Sequence, residues 1–152
     1  MSLDFDALFE GVSGGMTKEE AAYALLKIAM VIDGETDARE VAQLSAILKR
    51  SKTLLGAKDG AEQVIRKVDE RLASASTPEA LHAAAKDACA SLKHEGEEIS
   101  KSVFTQALDI MLADTSVHPN EKVLIQLLSE HLAIPDDFVR MAVMVITSKN
   151  KY

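Results

Sequence analysis

Thr17-Lys18-Glu19-Glu20-Ala21-Ala22-Tyr23-Ala24-Leu25-Leu26-Lys27-Ile28-Ala29-Met30-Val31-Ile32-Asp33-Gly34 is the stretch that decides the fold class. Leu25, Ile28, Ala29 and Ile32 recur at i, i+3, i+4 and i+7, the spacing that lines one face of an α-helix. Thr17 and Glu20 have the T-x-x-E spacing of a capping box, in which each side chain bonds the other's backbone N–H. Gly34 stands where a left-handed residue would end the helix.

The same signals repeat outward along the chain. Asp37 with Glu40 opens a second helix whose inner face includes Val41, Leu44 and Leu48. Gly56 to Gly60 is a break, and a third helix follows with Val64, Val68 and Leu72 inward. Thr77 is placed as an N-cap with Pro78 at the first helical position. The helix it opens turns Leu81, Ala84, Ala85, Ala88 and Leu92 inward, and Gly96 is expected to end it. Ile99, Val103, Ala107 and Met111 mark another helix, expected to run to Asp114. Pro119 opens the next, with Leu124, Leu127 and Leu128 inward. Pro135 and Asp136 open the last, with Val139, Ala142 and Ile146 inward. A short helix near Asp4 to Glu10 is a further expectation. No segment alternates strictly, and no hairpin dipeptide separates two β-branched runs. The pattern predicts an all-α, single-domain bundle of seven to eight helices, spanning 1–152 with its core at 17–148. Its short connections favour antiparallel neighbours.

Composition agrees and limits function. The 152 residues are 47% hydrophobic and 27% charged, as in a globular domain able to bury a core without disulfides. Only three Pro and seven Gly interrupt the chain, which suits long helices. A formal net charge of −7 opposes sequence-independent nucleic-acid binding, because phosphate repulsion has no global offset. Lys49, Arg50 and Lys52 are the best local basic cluster, and a solvated helix end explains them as well. Cys89 is the single cysteine, so neither a disulfide framework nor a Cys-rich zinc site is available. Its place on the stripe with Ala85 and Leu92 reads as a buried, inert thiol. No apolar run approaches the roughly 20 residues of a membrane span. The start lacks a basic stretch followed by an apolar one, so a cytoplasmic location without membrane insertion is expected.

One feature is more specific than a helical domain. Residues 29–33 read Ala-Met-Val-Ile-Asp and residues 110–114 read Ile-Met-Leu-Ala-Asp. The register continues without a gap: Asp33 matches Asp114, Thr36 matches Val117, Glu40 matches Glu121 and Ile47 matches Leu128. The offset is 81 residues throughout, the difference between 114 and 33. Each copy is an apolar helix ending in Asp, then a turn, then a helix with Glu in its first turn. Such a repeat suggests a pseudo-twofold pair of helical hairpins.

At these residues the sequence resembles the TerB-like family of tellurite-resistance proteins. Ala29 to Glu40 resembles the family's first signature, an apolar helix followed by D-G-x-x-x-x-x-E. Met111-Leu112-Ala113-Asp114-Thr115-Ser116-Val117-His118-Pro119-Asn120-Glu121 resembles its second. Leu127-Leu128 and Leu132-Ala133-Ile134-Pro135 resemble its ending. The likeness covers residues 17 to 148. It implies an all-helical fold, an association with tellurite resistance and stress response in bacteria, and acidic turns proposed to bind metal. That role would fall on Asp33 and Glu40 and on Asp114 and Glu121, with Asp37 and His118 beside them. The second copy departs from the pattern: Thr115, Ser116 and His118 stand where Gly34, Glu35 and Asp37 do.

Two physical readings of these acids stand side by side. Ca²⁺, Mg²⁺ and Mn²⁺ take oxygen ligands, and converging carboxylates repel one another without a counter-ion. Alternatively the acids only cap their helices, worth about 0.5–2 kcal/mol each. The turn is not an EF-hand, which needs Gly sixth and Glu twelfth. Counting from Asp33, Gly34 is second and Glu40 eighth. The histidines form no H-E-x-x-H, since His94-Glu95 is followed by Glu98 three residues on. His94 and His131 read as caps near helix C-termini. Gly11 to Gly15 lacks the Lys-Ser/Thr of a phosphate loop. Met30, Met111, Met141 and Met144 read as core filler. One thiol and no dinucleotide fingerprint argue against direct tellurite reduction.

These readings converge on a non-enzymatic protein that acts through protein partners, with a divalent cation at its acidic turns. The alternative is a metal-independent adaptor docking basic partners or a membrane-associated complex. A metal-assisted hydrolase stands third.

Overall fold

A computed structural model describes residues 16–32, 34, 44, 46, 47, 61–113 and 117–151. Within them the chain forms α1 (Lys18–Val31), α2 (Ala61–Leu72), α3 (Pro78–Lys93), α4 (Glu97–Met111), α5 (Pro119–His131) and α6 (Asp136–Lys151). No strand occurs among the described residues. The expected second helix falls mostly outside them; Leu44, Ala46 and Ile47 are helical there, and Leu44 and Ile47 are buried. The expected short helix near Asp4 to Glu10, the Gly-rich stretch at 11–15, the break at 56–60 and the basic residues 49, 50 and 52 also lie outside the described residues.

α1 is the centre of the bundle. Thr17 and Glu20 form the expected box, with Thr17 Oγ1 accepting from the Glu20 N–H at 3.1 Å and Glu20 Oε1 accepting from the Thr17 N–H at 3.2 Å. Ala21 to Leu26 and Ile28 to Met30 are all buried, which is more than one stripe. The reason is tertiary: α2, α3 and α4 all pack on α1, so it meets a neighbour on most sides. Each fully buried Leu or Ile contributes about 1.5–3 kcal/mol by leaving water. The Met16 N–H donates to Ser91 Oγ at 3.4 Å, placing the start of α1 beside the last turns of α3.

α2 inserts Val64, Val68 and Leu72 as expected. α3 begins at Pro78 with Thr77 Oγ1 accepting from the Ala80 N–H at 3.1 Å, and buries Leu81, Ala85, Ala88, Cys89 and Leu92. It carries α5 on a further side and also meets α4. Two helix ends differ from expectation. α3 stops at Lys93 with His94 as C-cap, and the Glu95 N–H closes the turn on the Leu92 carbonyl at 2.9 Å. Gly96, with φ +116°, is therefore the N-cap of α4 and not the end of α3. α4 ends at Met111 rather than reaching Asp114, with the Leu112 N–H bonded to the Leu108 carbonyl at 2.8 Å.

α6 is peripheral and packs chiefly on α4. Ala142 and Ile146 enter the core, and Phe138, Val139 and Val143 pack against it half-buried. Lys149 Nζ meets Asp109 Oδ1 at 2.6 Å, and Lys101 Nζ lies 5.2 Å from the centre of the Phe138 ring. These two pairs advance together along both helices, so α4 and α6 run in the same direction. The methionines divide. Met30 and Met111 are buried, but Met141 and Met144 are 54% and 67% exposed and are not core filler. Their side of α6 faces away from α4, the described helix on which α6 chiefly packs.

Candidate acidic helix junction

The junction before α5 is described from Val117 onward. Pro119 occupies the first helical position, where its missing N–H costs nothing because that donor has no intrahelical partner. His118 is then the N-cap, with extended backbone at φ −68° and ψ 146°. Its ring Nδ1 accepts from the Asn120 N–H at 3.1 Å. In return, Glu121 Oε1 accepts from the His118 N–H at 2.8 Å. The result is a reciprocal box built on histidine.

This geometry places demands on both side chains. Glu121 is only 3% exposed, so its carboxylate needs hydrogen-bonded partners to remain at the base of α5. A carboxylate in a helix's first turn also gains from the positive end of the dipole. A neutral imidazole has one N–H and one lone-pair nitrogen. Because Nδ1 accepts the backbone bond, the ring proton sits on Nε2. A cation at either ring nitrogen would therefore have to displace the cap.

Asp114, the acid that precedes Glu121 in this junction, lies outside the described residues. So do Asp33, Asp37 and Glu40 of the first junction. The first junction is described at its edges. Ile32 is the C-cap of α1, and Gly34 is left-handed at φ +80° with its N–H donating to the Val31 carbonyl at 3.0 Å. A side chain at residue 34 would find open space but the wrong backbone conformation. Of the six residues expected to ligate a cation, then, the structure places Glu121 and His118 and joins them by a hydrogen bond. Among the described residues no three His, Cys, Asp or Glu side chains are grouped to hold a metal.

The histidine cap was the functional contact missed in the sequence. His is a less usual N-cap than Ser, Thr, Asp or Asn. The available signal was spacing: His118 lies just before Pro119 and three residues before Glu121.

Two further groups define what the core can do. Cys89 is fully buried, and burial pushes its thiol up to about 12, so the nucleophilic thiolate is suppressed. His82 Nε2 is buried with no hydrogen-bond partner among the described residues. No helix among the described residues is long and apolar enough to cross a membrane.

The family model for tellurite resistance protein TerB matches residues 19–143. The chain belongs to the TerB family. The match begins inside α1 and ends inside α6, so it takes in both acidic junctions. No significant match appears among curated proteins or solved structures. Membership associates the chain with tellurite resistance, and the TerB helical domain accords with the six helices described here.

Proposed function

We propose that this TerB-family protein is a non-enzymatic stress-response component that binds a divalent cation at its acidic junctions and acts through protein partners in the cytoplasm. The ligands would be Asp33, Asp37 and Glu40 in the first junction, and Asp114 and Glu121 in the second. The two junctions would be related by a pseudo-twofold repeat within a bundle of seven to eight helices. The observation that supports this reading is the buried Glu121 carboxylate, held at the start of α5 by the His118 N–H. Glu40 occupies the equivalent position 81 residues earlier, 121 less 40. Ca²⁺, Mg²⁺ and Mn²⁺ all accept such oxygen donors.

Thermal denaturation with each cation tests the proposal. A ligand that binds the folded chain alone stabilises it by about 2.7 kcal/mol at one hundred times Kd, and so raises the melting temperature with occupancy. Glu121→Gln keeps an oxygen acceptor for His118 but removes the charge, so it should leave the apo protein folded and weaken the cation response. Asp33→Asn should do the same. Indifference of the wild type to all three ions at millimolar concentration excludes the cation site.

A second reading, a metal-independent adaptor, draws on the same contact. The His118–Glu121 box gives the carboxylate a structural task that needs no ion. Capture of protein partners with and without chelator separates the two, because an adaptor is unaffected by chelation.

A further inference from the structure

Sulfur is distributed unevenly between core and surface. The chain holds six methionines and one cysteine. Cys89 is fully buried, Met30 and Met111 are 6% and 1% exposed, and Met16 is half-buried against the core. Met141 and Met144 are the exception among the described residues, lying in water with Val145 on the outer side of α6. They stand at i and i+3, so both thioethers lie on one face, a single turn apart. Ala142 and Ile146 enter the core and fix that orientation.

Exposure decides which sulfur an oxidant reaches, since a buried one offers its lone pair only when the structure opens. A cysteine ordinarily reacts ahead of a methionine, because its thiolate is the stronger nucleophile. In this fold the order is reversed. Cys89 has no exposed surface, and burial pushes its thiol up to about 12, so its thiolate is both enclosed and scarce near neutral pH.

We propose that Met141 and Met144 form an oxidative modification site, at which a hydroperoxide converts both thioethers to sulfoxides ahead of every other described sulfur. A sulfur lone pair attacks the terminal oxygen of the hydroperoxide. The S–O bond forms as the O–O bond breaks, and the sulfur is oxidised by two electrons. The remaining oxygen leaves as an alcohol, or as water from hydrogen peroxide, taking up the proton that the transferred oxygen carried. Each sulfoxide is polar. Two of the three side chains in the Met141–Met144–Val145 stripe therefore change from apolar to polar while the core beneath them is untouched. The chemistry needs no cation and does not depend on the acidic junctions.

Hydrogen peroxide applied to the native full chain near neutral pH is the test. Cleavage after Arg140 and Lys149 releases residues 141–149, which hold both methionines and no other sulfur. Mass spectrometry should show this peptide gaining one and then two oxygen atoms, at least about tenfold faster than Met30, Met111 or Cys89 is oxidised. The doubly oxidised chain should keep its melting temperature and leave a hydrophobic-interaction column earlier. In urea the methionines should react at similar rates, because the selectivity comes from the fold. Met141→Leu and Met144→Leu together keep the apolar bulk and the helix propensity. That variant should gain no oxygen in residues 141–149, and peroxide should not advance its elution. Oxidation of Cys89, Met30 or Met111 at a matching rate overturns the proposal. So does an unmodified 141–149 peptide, a selectivity that persists in urea, an unchanged elution, or a fall in melting temperature on oxidation.

Discussion

The Tyr23 hydroxyl donates to Asp69 Oδ1 at 3.0 Å, joining the largely buried helix α1 to the exposed face of α2. Tyr23 itself is 3% exposed. The bond therefore lets a phenol sit in the core while its polar end is satisfied by a residue on the next helix. Removing either partner has unequal consequences. Tyr23→Phe deletes the donor and leaves Asp69 to water, so it should cost about 0.5–1.5 kcal/mol. Asp69→Ala removes the acceptor from a buried hydroxyl and should cost more, about 1–3 kcal/mol. Urea denaturation of the two variants gives the order directly; equal losses would mean that water replaces the carboxylate.

The chain should lose stability in alkali. Burial raises the Tyr23 phenol above its ordinary range, reinforced by the negative charge of Asp69 and by the bond to it. Burial also raises the Cys89 thiol from 9.0 to about 12. Both groups are neutral when protonated, so above their unfolded pKa values the unfolded chain ionises first. Stability is complete below pH 9 and declines as the pH rises toward 12, with up to a few kcal/mol from Cys89 alone. Thermal melts between pH 7 and 11 follow the decline, and Cys89→Ala should make it shallower. At pH 8, a thiol reagent should label Cys89 only on unfolding.

His118 should behave as a cap whatever else the junction does. His118→Ala removes the acceptor for the Asn120 N–H and should cost about 1 kcal/mol. His118→Asp restores an acceptor and adds charge at the positive end of α5, so it should match or exceed the wild type. Chemical denaturation compares the three. A neutral His118→Ala would show that the ring bond contributes nothing in solution.

Ala133 offers a gain. It has φ +54°, in the left-handed region, where its N–H reaches the Glu130 carbonyl at 3.2 Å and the Ile134 N–H reaches the Ser129 carbonyl at 2.9 Å. This is a Schellman closure of α5 with alanine where glycine is usual. Left-handed backbone costs an L-residue about 1–2 kcal/mol. Part of that is offset by the greater freedom glycine has when unfolded. Ala133→Gly should therefore raise stability by about 0.5–1 kcal/mol, seen as a higher melting temperature.

How far the sequence could be read depended on the range of the interaction. Thr17 with Glu20, and Thr77 with Pro78, announce helix starts because each cap is made within four residues. The inward sets Val64–Val68–Leu72 and Leu81–Ala85–Ala88–Leu92 were legible for a similar reason: a 3.6-residue period and one apolar side imply one buried face. Gly96 shows the limit even of local reading. A left-handed glycine between two helices can close the first or open the second, and only the Glu95–Leu92 bond decides that it opens α4. In the candidate site, Glu121 is legible as a first-turn acid, but its reciprocal cap with His118 is not, because histidine is an uncommon N-cap. Asp33, Asp37, Glu40 and Asp114 lie outside the described residues, and their convergence is left to the cation titrations.

By itself the sequence determined an all-helical chain, most of its helix starts and the TerB signatures, since caps and apolar periods act between near neighbours. Tertiary structure alone decided that α1 is enclosed by α2, α3 and α4, and that α6 packs chiefly on α4 with Met141 and Met144 turned outward. An apolar residue has the same affinity for any apolar surface. Which of its faces meets one depends on where the other helices stand.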